Sequence, residues 1–228
     1  MNPRYVNEKC TACNKCAEAT TMEIDNPFNY GMDKMKAAYL PHDMAFPMRY
    51  VLDPALVASP EAQKVKDACP YGAIDLTMEP RTLTLKVGAI TWATGWKPYD
   101  AARLDTLGFK TCQNVVTNVM MERLSAWSGP TQGKIVRPSD GKAPETIAFV
   151  QCAGSRDQNH LPFCSSICCL ASMKQATYVR EQYPDARIYI FYIDIRAMVR
   201  LETFYQKVKE DPNIRFFKGK VAKIEEDP

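Results

Sequence analysis

Nine cysteines in tight groups constrain this 228-residue chain more than any other feature: they stand at positions 10, 13, 16, 69, 112, 152, 164, 168 and 169. They are few for a disulfide scaffold of this length, and clustered cysteines more often hold a metal or carry redox chemistry than form bridges. With Cys112 set aside as an expected inert small hydrophobe, the rest fall into two groups of four. Cys10, Cys13 and Cys16 form a triplet with two residues between neighbours, whereas zinc ribbons and fingers present separated pairs. Three thiolates on one tight loop suit three corners of an iron–sulfur cube. In the bacterial ferredoxin run a further cysteine follows three residues on and precedes a proline. Here Cys16 is not followed that way, and Thr20 stands in the position. Cys69-Pro70, continuing as YGAIDL like the end of a ferredoxin half, is the expected fourth ligand. The reading is one [4Fe-4S] cluster on Cys10, Cys13, Cys16 and Cys69, and a zinc site on the same four thiolates is its competitor.

The second group, Cys152, Cys164, Cys168 and Cys169, fits no common zinc or ferredoxin spacing, so its context carries the argument. Residues 146–218 alternate apolar runs with helical patterns. The runs are Thr146–Val150, Ile188–Ile193 and Ile214–Phe217; the helical patterns run through Leu170, Met173, Ala176, Val179 and Tyr183, then Leu201, Phe204, Tyr205 and Val208. Strand, helix, strand, helix, strand is the grammar of a parallel sheet, and the middle strand reads as apolar on both faces, as a helix-covered strand would. Cys152 then follows the first strand, and Cys168 and Cys169 open the first helix. An open parallel sheet places its ligand there, and a dinucleotide fold would carry G-x-G-x-x-G. The loop reads QCAGSRD instead, poor in glycine, while a helix N-terminus favours any anion, a thiolate-bound cluster included. A redox dithiol or a lone buried cysteine pair stays open on spacing alone.

Between the groups, prolines at 27, 41, 47, 54 and 60 preclude long regular elements. Glu61–Ala68 reads as a helix delivering Cys69. TLTLKVGAITWAT, residues 82–94, is rich in β-branched residues and reads as one or two strands. Met120, Leu124 and Trp127 recur at helical spacing after Thr117, a candidate N-cap, and before Gly129. Composition excludes other classes: 29 Lys and Arg against 26 Asp and Glu, with no long run of one sign, provide no face for nucleic acid or anionic lipid. No apolar run is long enough to span a membrane. The chain is expected in the cytoplasm, with any membrane attachment supplied by partner subunits.

FVQCAGSRD, CSSICCLASMKQA and IYIFYIDIRA, preceded by VGAITWATGWKPYDA and SGPTQGKIVRPSDGKAPE, together resemble the A subunit of heterodisulfide reductase. The family's Gly-Lys-Gly after DIRA is Met198-Val199-Arg200 here, which favours its shorter relative in sulfate reducers, the A subunit of the quinone-interacting membrane-bound oxidoreductase complex. The resemblance implies an α/β fold: a parallel βαβ Rossmann-like unit of a thioredoxin-reductase-type flavoprotein with a ferredoxin-like insertion at the N-terminus. It divides the chain into a ferredoxin-like [4Fe-4S] domain (1–80), connecting strands and a helix of the flavoprotein domain (81–145), and a Rossmann-like domain with the second cluster (146–228). It implies a second [4Fe-4S] cluster on Cys152, Cys164, Cys168 and Cys169. It further implies FAD approached by the turn at Thr94 and Gly95, bound only with a flavin-cradling half that precedes this stretch in family members. By that account the chain begins at the insertion, stops short of the return to the flavin domain at KIEEDP, and is the middle of a longer polypeptide or a separately encoded piece.

The implied function is an electron-transfer component of an oxidoreductase, relaying single electrons between flavin and partner redox proteins within a larger complex. In the shorter relative that flow runs between the quinone pool and adenylylsulfate reductase. A zinc-binding interaction module without catalysis is the alternative from another class. No side chain is needed as acid or base, so no catalytic residue is assigned. His42 and His160 are expected to be structural, Asp194 and Arg196 to form an ion pair, and Ser155, Arg156 and Asp157 to support the cysteine loop. Trp92 and Trp96 are expected in a core or a subunit interface.

Overall fold

The computed structural model describes residues 4–226. The first three residues and the last two, which belong to the opening stretch and to KIEEDP, lie outside the described residues. The chain divides into two compact units, residues 1–94 and 95–228, so residues 95–145 share a unit with the expected Rossmann-like segment.

The first unit is built from short pieces, as its prolines require. They are α1 (Lys15–Ala19), the antiparallel pair β1 (Glu23–Asp25) and β2 (Lys34–Lys36), the antiparallel pair β3 (Ala38–Tyr39) and β4 (Val51–Leu52), α2 (Pro54–Val57) and α3 (Ala62–Asp67). Pro54 stands in the first turn of α2, where no N–H is missed, and Asp53 caps it by accepting from the Ala55 N–H at 2.8 Å. Leu52, Leu56, Val65, Ala37 and Ala38 are fully buried or nearly so. The two ends of the unit are stitched together by an antiparallel bridge between Val6 and Ile74. There the Asn7 N–H donates to the Ala73 carbonyl at 2.9 Å and the Asp75 N–H to the Tyr5 carbonyl at 3.0 Å. Thr20 takes another task than ligation. Its hydroxyl donates to Glu61 at 2.6 Å, and the Thr21 N–H and hydroxyl also donate to that carboxylate, tying the end of α1 to the start of α3.

Residues 82–94 are not strands. Among the described residues they form no ladder, and Leu83, Leu85, Val87, Ile90 and Trp92 are more than half exposed. β-branched composition reports fitness for a half-buried pleated surface, and without a partner strand that fitness has nothing to act on. Trp92 and Trp96, 81% and 74% exposed, belong to no core.

The second unit carries α4 (Asn118–Ser125), β5 (Thr146–Val150), α5 (Cys168–Gln182), β6 (Arg187–Tyr192), α6 (Leu201–Lys209) and β7 (Ile214–Lys218). Thr117 caps α4, accepting from the Met120 N–H at 3.3 Å. A side chain at Gly129 would overlap the Arg123 carbonyl, so the turn after α4 admits only glycine. Trp127 lies beyond the helix and is 84% exposed, contrary to its expected place in the apolar stripe. The three strands run parallel in the order β5-β6-β7, with Ile147 opposite Ile188 and Ile188 opposite Ile214.

Helices cover one face of this sheet rather than two. Met173, Ala176 and Val179 of α5 and Val208 of α6 share a core with Ile188, Ile190 and Ile214. Strands added in one direction through crossovers of one hand put both helices on the same side. The opposite face carries Tyr189, Phe191 and Phe217, with Phe191 stacked on Phe217 at 5.5 Å between centroids and Phe217 44% exposed. No helix among the described residues is long and apolar enough to cross a membrane.

Candidate metal centres

The first unit gathers Cys10, Cys13, Cys16 and Cys69 around one small cavity lined also by Val6, Tyr50, Ala73 and Ile74. The Val6–Ile74 bridge is the cause: it pins the start of the triplet loop beside the segment that follows Cys69. Two backbone N–H groups already point at sulfur, Ala12 to Cys10 at 3.4 Å and Ala73 to Cys69 at 3.3 Å. Ala12 and Asn14 lie in the left-handed region, at φ 57° and 67°. That region costs a residue with a side chain of order 1 kcal/mol or more, a strain kept mainly where a site requires it. The Tyr50 hydroxyl donates to the Asn14 side chain at 2.5 Å and steadies that turn. Burial pushes the Cys16 thiol up to about 11, and the neighbouring charges of Cys10 and Cys13 push the same way. A crowded set of thiols of this kind releases its protons on binding a cation or cationic cluster.

In the second unit the C-terminal ends of β5 and β6 and the start of α5 meet. Cys152 follows the ladder closely, Cys164 ends the loop, and Cys168 and Cys169 occupy the first turn of α5. Burial raises the Cys152 and Cys169 thiols. Cys152 also feels the charges of Cys168 and Cys164, and Cys169 those of all three others, so the four sulfurs share one electrostatic neighbourhood. The Ser166 N–H donates to the Cys164 sulfur at 3.4 Å, and the Ser165 hydroxyl lies 3.6 Å from the Cys168 sulfur. Cys152, Arg156 and Ser166 are left-handed, at φ 55°, 60° and 59°.

The second loop has charged support that spacing does not disclose. The nearby charge of Arg156 lowers the Cys152 thiol, opposing the rise caused by burial, and Arg156 pairs with Asp194 at 2.8 Å. Asp194 pairs with Arg196 at 3.1 Å, as expected from the sequence, while its carbonyl accepts from the Cys169 thiol at 3.7 Å. His160 is structural, its Nδ1 lying 2.7 Å from the Tyr99 hydroxyl. The Tyr99 ring and Leu104 lie against Gly154 so closely that a Cβ there would sit 3.4 and 3.2 Å from them. Lys220 pairs with Asp157 at 2.9 Å. Tyr99, Leu104 and Lys220 escape sequence reasoning because they come from elements remote from the loop.

Cys112 belongs to neither set. His42 accepts from the Met44 N–H at 2.9 Å in an exposed turn. Thr94 and Gly95 are exposed, and Gly95 is left-handed at φ 67° with open space where a side chain would project. Among the described residues, no three Cys, His, Asp or Glu side chains converge as ligands of a single ion.

These features define a paired cysteine-centre protein on a mixed α/β frame. Comparison with curated proteins identifies the relatives. The chain is 38% identical to the iron-sulfur A subunit numbered 1 of CoB–CoM heterodisulfide reductase in Methanopyrus kandleri, over 99% of the chain and 35% of that protein. It is 41% identical to the one numbered 2 in that organism, with the same coverage. It is 37% identical to the corresponding iron-sulfur A subunit of Methanocaldococcus jannaschii, over 99% of the chain and 35% of the relative. Over nearly its whole length the chain is thus similar to a portion of heterodisulfide reductase iron-sulfur A subunits, and it spans about a third of the length of the curated relatives it matches. No protein-family model matches it.

Proposed function

We propose that this chain is the electron-relay portion of a heterodisulfide-reductase-like flavoprotein oxidoreductase, with two [4Fe-4S] clusters on Cys10, Cys13, Cys16 and Cys69 and on Cys152, Cys164, Cys168 and Cys169. The observation that carries the reading is that each group of four cysteines, one spread from residue 10 to residue 69, comes to a single place with N–H groups facing sulfur. The relatives' names, which call them iron-sulfur subunits, support the class of cofactor. A bound [4Fe-4S] cluster supplies one-electron transfer. The chain's own part is to hold the thiolates, keep one side of each site apolar and aim N–H groups at sulfur, which sets potentials. In this reading the first unit is ferredoxin-like and the parallel sheet is the Rossmann-like part of a thioredoxin-reductase-type fold. The exposed turn at Thr94 and Gly95 is where FAD approaches, in the presence of a flavin-cradling half of the protein. Partners are other subunits of a redox complex and a partner redox protein; some relatives carry ferredoxin in their names. Electron exchange with the quinone pool and adenylylsulfate reductase is the narrower form of the proposal, resting on Met198-Val199-Arg200.

Anaerobic purification tests it. The expected protein is brown and carries about eight iron and eight sulfide per chain. Colourless protein with stoichiometric zinc overturns the relay in favour of a zinc-binding interaction module.

A further inference from the structure

Two glutamines are buried in the second unit, Gln175 at 1% exposure and Gln151 at 4%. Gln175, on α5, is fully employed: its Nε2 donates to the Asn118 carbonyl at 3.1 Å and to Glu122 at 2.9 Å, and its Oε1 accepts from Asn118 at 3.5 Å. Among the described residues, Gln151 has no hydrogen-bond partner for either Nε2 or Oε1. A buried amide left unpaired is costly and rare in folded proteins. The same core satisfies one glutamine completely, and the other calls for a partner that the described residues do not supply.

Its position says what that partner is. Gln151 directly precedes Cys152. Its N–H donates to the Phe191 carbonyl at 3.0 Å, extending the β5-β6 ladder by one residue. Alternation along the strand therefore puts its side chain on the face of Ile147 and Phe149, both packed into the core that α5 covers. Gln151 stands at the C-terminal end of that face, and α5 begins with Cys168 and Cys169. A buried amide donor thus stands one residue before the first cysteine of the set and on the sheet face covered by the helix that opens with two more of them, and a helix N-terminus itself favours negative charge.

Resting on the reading of Cys152, Cys164, Cys168 and Cys169 as one cluster's ligands, we propose that Gln151 is a positioning residue whose Nε2–H donates to a sulfur of that centre and raises its reduction potential. The sign follows from charge: reduction adds an electron to an already anionic centre, and a donor aimed at sulfur stabilises the more negative form. The orphaned amide is then costly without the cluster and satisfied with it.

Gln151→Leu, tested in the whole polypeptide that carries this chain, removes both polar atoms while nearly preserving volume. Dithionite supplies one electron per centre in a reductive titration followed by EPR. Iron and sulfide content should match the parent. At a fixed potential the reduced-to-oxidised ratio of the second centre should fall about tenfold, which is about 59 mV for one electron, and the first centre should not move. The iron-free variant should melt higher than the iron-free parent, because the unpaired amide is gone. Gln151→Met, of similar length but with neither N–H nor charge, is read the same way if the leucine variant does not load. A fully loaded variant with an unchanged second potential overturns the proposal and leaves a buried water as the amide's partner. A parent protein with only the first centre overturns the ligand reading instead, before any variant is made.

Discussion

The loop of Cys10, Cys13 and Cys16 and the loop of Cys152 and Cys164 solve the same local problem in the same way, then part company. In each, the residue two places after a cysteine, Ala12 or Ser166, is bent into the left-handed region and its N–H meets that cysteine's sulfur at 3.4 Å. Beyond this the first site is lined by apolar and neutral polar side chains, with the Tyr50 hydroxyl on Asn14. Among the described residues that line it, Lys15 is the one cation, and it is paired on the surface with Glu18 at 3.4 Å. The second site has Asp194 flanked by two arginines, Arg156 and Arg196, and the charge of Arg156 is felt at Cys152. In the proposed reading, backbone geometry makes a place for sulfur and the side chains around it set how readily a bound cluster accepts an electron.

The largest test of this comparison is the separation of the sites. Cys169→Ala should remove only the second centre, taking iron from about eight to about four per chain, and Cys16→Ala only the first. Loss of both EPR signals on either substitution would break the picture of two independent sites. Next, Arg156→Gln should leave iron content intact and lower the second centre's reduced-to-oxidised ratio about tenfold at fixed potential, about 59 mV, while the first centre's potential stays where it is. The frames can be separated too. Met173→Ala opens the core beneath α5 and should cost about 2–5 kcal/mol, moving the second unit's denaturant transition while the first unit's stays in place. Thr117→Ala should cost that same unit about 1 kcal/mol through the lost cap of α4.

The smallest effect is confined to the first unit and depends on pH. Hydrogen bonds from Thr20 and Thr21 hold the Glu61 carboxyl down at about 2. A carboxylate depressed in the folded state contributes stability that is complete above its unfolded value, near 4.3, and disappears as pH falls toward 2. The melting temperatures of the parent and of Glu61→Gln, measured from pH 6 downward, should converge at the acid end. A gap that stays constant with pH would show that the threonines bind Glu61 without regard to its charge.

Much of this is legible in the residues because it is local. Cysteine spacing marks the triplet loop, Thr117 marks the start of α4, and the alternation of apolar runs with helical periodicity marks β5 to β7. Residues 82–94 mislead because a strand is a relation between segments, and composition reports only one of them. The apolar character of β6 is plain in the sequence, yet its two faces have different fates, since crossover direction rather than side-chain type decides where helices lie. The arginine support of Cys152 is half visible: Asp194–Arg196 is a pair two residues apart, while Arg156–Asp194 spans two different strand ends.

By itself the sequence determined that two sets of four thiols exist, that one begins on a tight loop, and that the other falls at the strand-to-helix turn of a parallel βαβ unit, since these follow from spacing and periodicity along the chain. Only the tertiary structure decided that the Val6–Ile74 bridge is what brings Cys69, already marked by the sequence, to the triplet, that Arg156 pairs with Asp194 beside Cys152, and that of two buried glutamines one is satisfied and one is not. Hydrogen bonds and charges act over a few ångströms of space, and which residues share those ångströms is settled by packing, not by order in the chain.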